Sequence, residues 1–400
     1  MLIRSASKFR MMYLTKEEER IYNGEAGESL RKAMEILVAL GDINEAPRLI
    51  PIRSAHISGA SYKTIGDAYE FVESLDAKVK VKTTLNPIGM DREHWQELGI
   101  SEEFAFKQME VLKAYEKLGV LPECTCTPYL IGYAPKRGEH VSWAESSAVI
   151  YINSVLGART NLEGAPSALA AALVGKTPLY GLHLDEERAP SILFDIKCKL
   201  SDAAEYGALG YLVGKIAGDK IPLLKLKTSP SADELKAFSA ALGATGSVGM
   251  FHAIRGEKGI TPEALSYEMP SEVVEIEEKD LREFFDSSIP EDAVLTFGCP
   301  HCSSQELRRL CKLLRGAKLR HETFVFVARR LAERENAAIK ELKRLGVRVV
   351  CDTCMVVSPA FERFSCIATN SAKAFRYVPS MCGAKALLVK TSNVSRCFEI

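Results

Sequence analysis

The last third of the chain has the most regular pattern of hydrophobic and polar positions. Short apolar runs alternate there with amphipathic stretches, in the order 293–297, 303–314, 323–327, 330–345 and 347–350. Ser303, followed three residues later by Glu306, forms a capping box and predicts where the first helix begins. The alternation predicts a βαβαβ unit, and such crossovers build a parallel sheet with helices packed on its faces.

The first part of the chain gives shorter signals. Thr15 and Glu18 form another capping box, which predicts a helix start. Further helices are predicted at 30–40 and 101–118 from their apolar spacing, and strands at 49–57 and 78–84. Small and polar residues between 124 and 164 are typical of loops that line a site.

The length of 400 residues favours several lobes over one compact core. Residues 165–228 are rich in small residues and predict helices, and the acidic stretch 273–292 predicts a solvated connector. The predicted lobes are an N-terminal α/β lobe at 1–164, a helix-rich middle lobe at 165–285 and a C-terminal βαβαβ lobe at 286–400. The expected fold class is therefore α/β, with parallel βαβ units in a multi-lobed architecture.

Charge and hydropathy narrow the range of partners. The 52 basic residues balance the 52 acidic ones, so nothing predicts a nucleic acid or an anionic membrane as partner. No apolar run approaches the roughly 20 residues that span a bilayer, and the N-terminus lacks the apolar region of an export signal. We expect a cytoplasmic protein.

Eleven cysteines are many for such a chain, and two of them follow predicted strands. Cys299 comes after the first strand of the βαβαβ unit and Cys354 after the third. Because parallel strands end at one edge of a sheet, both thiols are expected there, where ligands of open α/β sheets bind. Cys126, in a distant loop, can supply a third thiolate. Three thiolates would hold a cubane cluster and leave one iron open as a Lewis acid.

Other interpretations of the cysteines remain open at this stage. Cys299–Cys302 and Cys351–Cys354 both have the C-x-x-C spacing, which fits a four-cysteine zinc site, and the first pair also fits a redox motif. The remaining cysteines are expected to fill core or surface positions, namely Cys198, Cys311, Cys366, Cys382 and Cys397.

Three polar segments are candidates for binding an anionic substrate. The stretch from His140 to Asn161 offers hydroxyl, amide and guanidinium groups, and within it Ser142 and Glu145 also fit a capping box. Small and hydroxylated residues follow a predicted strand at 53–62, although His56 by itself is typical of a structural histidine. Lys373 lies in the polar segment 369–373, where it either pairs with an anion or lies on the surface.

Several segments together closely resemble the aconitase X family over nearly the whole chain. They are LTKEEERIYNGEAG, RSAHISGASY, TTLNPIGMD, CTCTPY, GEHVSWAESSAVIYINSVLGARTN, GCPH, CDTC and TNSAK. The chain is more similar to the archaeal large subunit than to the single-chain bacterial form, because it lacks the segment that supplies a small swivelling domain in the latter. The resemblance therefore implies a heterodimer with a separate small subunit.

The resemblance also implies an activity. It points to an iron–sulfur hydro-lyase with the aconitase-like fold, which dehydrates (R)-5-phosphomevalonate to trans-anhydromevalonate 5-phosphate in a modified mevalonate pathway. Dehydration of cis-3-hydroxy-L-proline is the alternative within the family. An iron-sensing or nucleic-acid-binding role is the alternative of another class, and the zero net charge disfavours it.

The site residues carried over from the family follow from the same resemblance. A 4Fe–4S cluster with one open iron would be held by Cys126, Cys299 and Cys354, whereas Cys124, Cys302 and Cys351 would not be ligands. Glu145 and Lys373 are the catalytic candidates, with the general base expected on the small subunit. Positions implied to contact substrate are Ser58, Gly59, Ala60, Ser61, Thr84, Asn86, Glu145, Ser146 and Lys373.

Overall fold

The computed structural model describes residues 12–285, 288–316 and 318–392 and the backbone of 398–399. Cys397 lies outside the described residues. The helices, α1 to α14 in chain order, are Lys16–Tyr22, Glu28–Ile43, Tyr62–Ile65, Tyr69–Glu73, Glu102–Lys117, Ser146–Tyr151, Ala165–Val174, Ala203–Ala217, Ala232–Thr245, Glu278–Arg282, Ser304–Leu314, Arg329–Arg334, Asn336–Arg344 and Ala372–Cys382.

The strands are numbered in the same way. In chain order, β1 to β17 are Leu49–Pro51, Ser54–Ile57, Lys82–Leu85, Ser142–Trp143, Lys176–Pro178, Ile192–Ile196, Pro222–Lys225, His252–Arg255, Lys258–Gly259, Val273–Ile276, Val294–Phe297, Lys318–Leu319, Thr323–Val327, Arg348–Cys351, Cys366–Thr369, Lys385–Leu388 and Phe398–Glu399.

The βαβαβ unit predicted for the last third is confirmed and extended. Strands β11, β13 and β14 pair in parallel, and β15 and β16 add two more parallel strands to give the order β14-β13-β11-β15-β16. Helix α11 begins after Ser303, whose side chain forms the expected capping box with Glu306. One predicted helix is broken in two, because α12 ends at Arg334 and α13 restarts at Asn336.

Both faces of this sheet are buried, and side chains alternate between them. Along β13, Phe324 and Phe326 lie in one hydrophobic cluster, while Val325 and Val327 lie in another. This alternation follows from the pleat of a strand, which sends successive side chains to opposite faces. The residues that follow these strands are likewise divided between the two hydrophobic clusters, one on each face of the sheet.

The N-terminal region contains a smaller parallel sheet in the order β3-β2-β4. Its strands are short, and the predicted strands at 49–57 and 78–84 are each longer than the ones formed. Helix α1 starts at the capping box of Thr15 and Glu18, as predicted. Helices α2, α5 and α7 contribute to the core that covers this sheet.

The middle region is not only helical. It contains a five-stranded sheet in the order β10-β6-β7-β8-β9, mostly parallel, so the expectation of a helix-rich middle lobe was incomplete. Strand β10 lies inside the acidic stretch that was predicted to be a solvated connector. Val273 and Glu275 are exposed, but Val273–Ile276 form a strand at the edge of this sheet and not a simple connector. Short apolar runs such as β6 do not distinguish strand from helix by periodicity alone.

Of the helices in the described part of the chain, none combines the length and the apolar surface that a membrane crossing requires.

Candidate active site at the ends of two parallel sheets

The candidate residues come from strand ends in two separate sheets. In the N-terminal sheet, β2 leads into residues 58–61, β3 into Asn86 and β4 into Glu145. In the C-terminal sheet, β11 leads into Cys299, β14 into Cys354 and β15 into Lys373. Ligands of α/β proteins bind beyond the carboxyl ends of parallel strands, and here two such edges contribute to one constellation.

A buried ion pair joins the two sheets. The Lys373 ammonium donates to the Glu145 carboxylate, and the two side chains are 13% and 10% exposed. Burial alone would raise the pKa of Glu145, but Lys373, Ser147 and Asn86 lower it to about 2. Burial alone would lower the pKa of Lys373, but the nearby carboxylate raises it. Both groups are therefore charged at neutral pH.

Three further donors surround the Glu145 carboxylate. Ser147 Oγ donates to Oε1 at 2.7 Å, and Asn86 Nδ2 donates to Oε2 at 2.8 Å. The Ser147 backbone N–H also donates to Oε1, which makes Glu145 itself the N-cap of α6. The prediction that Ser142 caps this helix was wrong, because Ser142 is part of strand β4.

His56 contacts Asn86, one of the donors to the Glu145 carboxylate. Its ring lies 2.8 Å from Thr84 Oγ1 and 3.3 Å from Asn86 Oδ1, measured from Nδ1 and Nε2. The ring is fully buried, and burial lowers the pKa of His56 to about 4. His56 is therefore a neutral, satisfied histidine, as expected, and it orients the amide of Asn86 toward Glu145. Thr84 contacts the histidine and makes no described contact with the ion pair.

The loop at 58–61 packs mainly through its backbone and through Ser61. Ser61 Oγ donates to the Val357 carbonyl at 2.9 Å, so it ties this loop to the segment that follows Cys354. The Ala60 carbonyl accepts from Gln108, and Gly59 has a φ of 70°, a conformation that suits glycine. Ser58 is half-buried and makes no hydrogen bond to the described residues.

Ser146, the residue that follows Glu145, faces away from the hydrogen bonds around the Glu145 carboxylate. The Ser146 side chain lies against Gly243 of α9, where an added Cβ would approach its Oγ to 3.2 Å. Ser147 takes the place in the network that the sequence had assigned to Ser146. The two serines are adjacent, so sequence alone did not distinguish which hydroxyl faces Glu145.

Cys126, Cys299 and Cys354 are buried beside this ion pair. Each is less than 10% exposed, and each thiol interacts electrostatically with at least one of the others and with Lys373. Burial raises the pKa of Cys126 to about 12 and raises the pKa values of Cys299 and Cys354 as well. Such thiols become thiolates only when a cation displaces their protons, as metal binding does.

The other cysteines of the C-x-x-C spacings face elsewhere. Cys299 and Cys354 share one hydrophobic cluster, whereas Cys302 and Cys351 share the cluster on the opposite face of the sheet. Cys124 belongs to the N-terminal core. This separation disfavours both a four-cysteine zinc site and a Cys299–Cys302 redox pair.

Three cysteine thiols are the ligand type of an iron–sulfur cluster, the cofactor that these positions were predicted to hold. In the described residues, no three Cys, His, Asp or Glu side chains are close enough to bind one metal ion. A cluster places each thiolate on a different iron, so its ligands lie farther apart than those of one ion. The buried hydroxyls of Thr353 and Tyr129, which are near Cys354 and Cys126 in sequence, have no hydrogen-bond partner in the described structure, and such orphaned groups fit a site that holds a further polar group.

Models of the three aconitase X domains match almost all of the sequence. The first-domain model covers residues 11–186, the second 190–286 and the third 292–398. The chain belongs to the aconitase X family. The resemblance identified from the sequence motifs is thereby confirmed.

Individual relatives refine this result. The chain is 53% identical to the phosphomevalonate dehydratase large subunit of Methanosarcina mazei, over 97% of this chain and 96% of that one. It is 36% identical to the cis-3-hydroxy-L-proline dehydratase of Hypocrea jecorina, over 96% of this chain but 68% of that one. The crystal structure of Thermococcus kodakaraensis aconitase X in its holo-form superimposes with a TM-score of 0.89 at 43% identity, over 97% of this chain and 100% of that chain. The aconitase X fold expected from the sequence is thus confirmed.

The charged state of Glu145 predicts an acid-sensitive stability. Its pKa falls from 4.5 to about 2 on folding, so its contribution is present above the unfolded value and lost as pH falls from 4.5 towards 2. The shift corresponds to about 3 kcal/mol in the free energy of unfolding. Urea unfolding at several pH values should show a steeper acid loss for wild type than for Glu145→Gln. Equal slopes for the two proteins would contradict the assignment.

Proposed function

We propose that this chain is the large subunit of a phosphomevalonate dehydratase, a hydro-lyase that removes water from (R)-5-phosphomevalonate to give trans-anhydromevalonate 5-phosphate. The observation that carries the proposal is the buried Glu145–Lys373 pair beside three thiols, in a chain with high identity to the Methanosarcina mazei protein over nearly its whole length. We place the reaction in the cytoplasm as part of a mevalonate pathway.

Cys126, Cys299 and Cys354 would hold the iron–sulfur cluster, which we propose to be 4Fe–4S with one open iron. When bound, such a cluster supplies a Lewis acid for the departing hydroxyl. The thiols come from three loops that are far apart in sequence, so the fold of the chain brings them together.

Lys373 is the residue that we assign to the substrate anion. An ammonium group has three N–H donors, and in the structure Glu145 and Ser147 accept two of them. The third is left for a carboxylate or phosphate of the substrate. Glu145 keeps the ammonium oriented and charged in a site from which water is largely excluded.

Glu145 is poorly suited to remove a proton from carbon. Its two oxygens already accept from Lys373, Ser147 and Asn86, and its pKa of about 2 makes it a weak base. We therefore assign it to electrostatic positioning. Elimination also needs a base for the proton on the carbon beside the substrate carboxylate, and we propose that a serine of the small subunit supplies it. The large subunit alone should then be nearly inactive.

Turnover on three compounds tests the substrate assignment. The anaerobically reconstituted complex with the small subunit is incubated with (R)-5-phosphomevalonate, (R)-mevalonate or cis-3-hydroxy-L-proline, and loss of water is followed by mass spectrometry. We expect dehydration of phosphomevalonate and little reaction with the other two. Preferential dehydration of cis-3-hydroxy-L-proline would assign the alternative activity of the family, and equal rates with mevalonate would show that the phosphate is not recognised.

A further inference from the structure

His301 is a second fully buried histidine near the thiols, and it has no role in the chemistry proposed above. It lies between Cys299 and Cys302, in the loop that follows β11. Unlike His56, it contacts two loops that are distant from it in sequence. Its ring and its backbone are all engaged in hydrogen bonds.

The ring connects two of the cysteine loops. Nε2 lies 2.9 Å from the carbonyl oxygen of Thr353, the residue before Cys354. Nδ1 lies 3.0 Å from Oγ1 of Thr125, the residue before Cys126. Because a carbonyl only accepts, Nε2 carries the proton and Nδ1 is the acceptor for the threonine hydroxyl.

The Thr125 hydroxyl also has a partner for both its donor and its acceptor role. Thr125 Oγ1 donates to the ring and accepts the backbone N–H of Thr127 at 3.1 Å. Each donor and acceptor therefore has one consistent role, and the ring fixes the position of both loops at once.

The backbone of His301 adds two contacts. Its N–H donates to Cys126 Sγ at 3.3 Å, and its carbonyl accepts from the buried ammonium of Lys236 at 3.0 Å. Lys236 belongs to α9, so the middle region of the chain is also attached to this loop. The loop that carries Cys299 thus holds the loops that carry Cys126 and Cys354.

We propose that His301 is a positioning residue that links the three cysteine loops and holds their thiols at one fixed spacing. The linkage itself is a property of the folded chain, while its consequence for a cluster rests on the function proposed above. Loss of the ring removes no ligand but frees two loops to move relative to the third. Groups that orient metal ligands in this way affect metal affinity by about 10- to 100-fold.

Three substitutions at His301 separate its two hydrogen bonds. His301→Leu removes both, His301→Asn keeps an acceptor near the Nδ1 position, and His301→Gln keeps a donor near the Nε2 position. His321→Leu is the matched control, because His321 is a buried histidine of the same region whose ring pairs with the Ala293 carbonyl. Circular dichroism and thermal melting identify any variant that fails to fold.

Hydrogen exchange of the full-length apo-protein tests the linkage without a cluster. In His301→Leu we expect faster amide exchange in both segments, 124–127 and 352–356, and no such change in the His321 control. His301→Gln should protect 352–356 better than 124–127, and His301→Asn should show the reverse. Unchanged exchange of both segments in folded His301→Leu would overturn the proposal.

Cluster retention tests the consequence. After anaerobic reconstitution, release of iron to a chelator should be about 10- to 100-fold faster in His301→Leu than in wild type, with partial rescue in the Gln and Asn variants. Equal release rates would refute a role in cluster retention. If wild type bound no cluster while exchange still rose in His301→Leu, the linkage would stand and the cofactor assignment would fall.

Discussion

Replacement of Cys354 by alanine is expected to reduce dehydration of phosphomevalonate by about 1,000-fold or more, because a Lewis acid contributes several kcal/mol to such a barrier. Cys351→Ala, three residues earlier, should retain activity near that of wild type. The two thiols are equally buried but lie on opposite faces of the C-terminal sheet. A difference between the two variants would therefore reflect the face of the sheet on which each thiol lies, and not how deeply the thiol is buried.

The same contrast is available at the first C-x-x-C spacing. Cys299→Ala should abolish activity and iron binding, whereas Cys302→Ala should cost only a modest amount of stability through lost packing. Iron and sulfide content and turnover are measured on all four variants after identical anaerobic reconstitution. Loss of the cluster in Cys302→Ala or Cys351→Ala to the same extent would contradict the ligand assignment.

Replacement of Lys373 by methionine is expected to have the second large effect. It leaves the Glu145 carboxylate buried without its cation, and breaking a buried pair in this way costs about 3–5 kcal/mol of stability. It also removes the donor assigned to the substrate anion, and we expect kcat/KM to fall about 100- to 1,000-fold. Urea unfolding and steady-state kinetics measure the two effects separately.

A double variant distinguishes the structural effect from the functional one. Glu145→Gln with Lys373→Met removes both charges, so no uncompensated carboxylate remains and stability should recover substantially. Activity should remain as low as in the single lysine variant. Recovery of activity together with stability would show that Lys373 serves only the fold, and its assignment to the substrate would have to be abandoned.

The C-terminal sheet was predictable because its signals are local. Ser303 and Glu306 mark a helix start within four residues, and β13 contains a run of four large apolar residues from Phe324 to Val327. From these elements, the common edge for Cys299 and Cys354 followed from the geometry of parallel strands. Strands β15 and β16 extend the same sheet but lacked a comparable alternating pattern in the sequence.

The N-terminal part of the site was less accessible to such reasoning. Strand β4 has only two residues, and its position beside β2 depends on pairing between segments almost 90 residues apart. Glu145 was found as a candidate, but Ser142 was misplaced because a capping-box pattern also occurs where the chain forms a strand. The family resemblance identified Asn86 as a site residue, and it favoured one of the two interpretations of Lys373 that the polar segment 369–373 had left open.

The role of His301 shows a different limit. The C-x-x-C spacing around His301 predicted roles only for the thiols of Cys299 and Cys302. The hydrogen-bond partners of the ring, Thr125 and Thr353, lie 176 and 52 residues away in sequence. Nothing in the local sequence indicates which loops a buried ring will join. Only the folded arrangement places one imidazole between two threonines that each precede a proposed ligand.

Mössbauer spectroscopy of the iron-labelled, anaerobically reconstituted complex tests the central claim most directly. We predict a cubane spectrum in which one iron site changes when (R)-5-phosphomevalonate is added, while the irons bound to Cys126, Cys299 and Cys354 remain unchanged. The change should be absent from Cys354→Ala. A protein that binds no cluster, or a cluster in which every iron is unaffected by substrate, would contradict the proposed site.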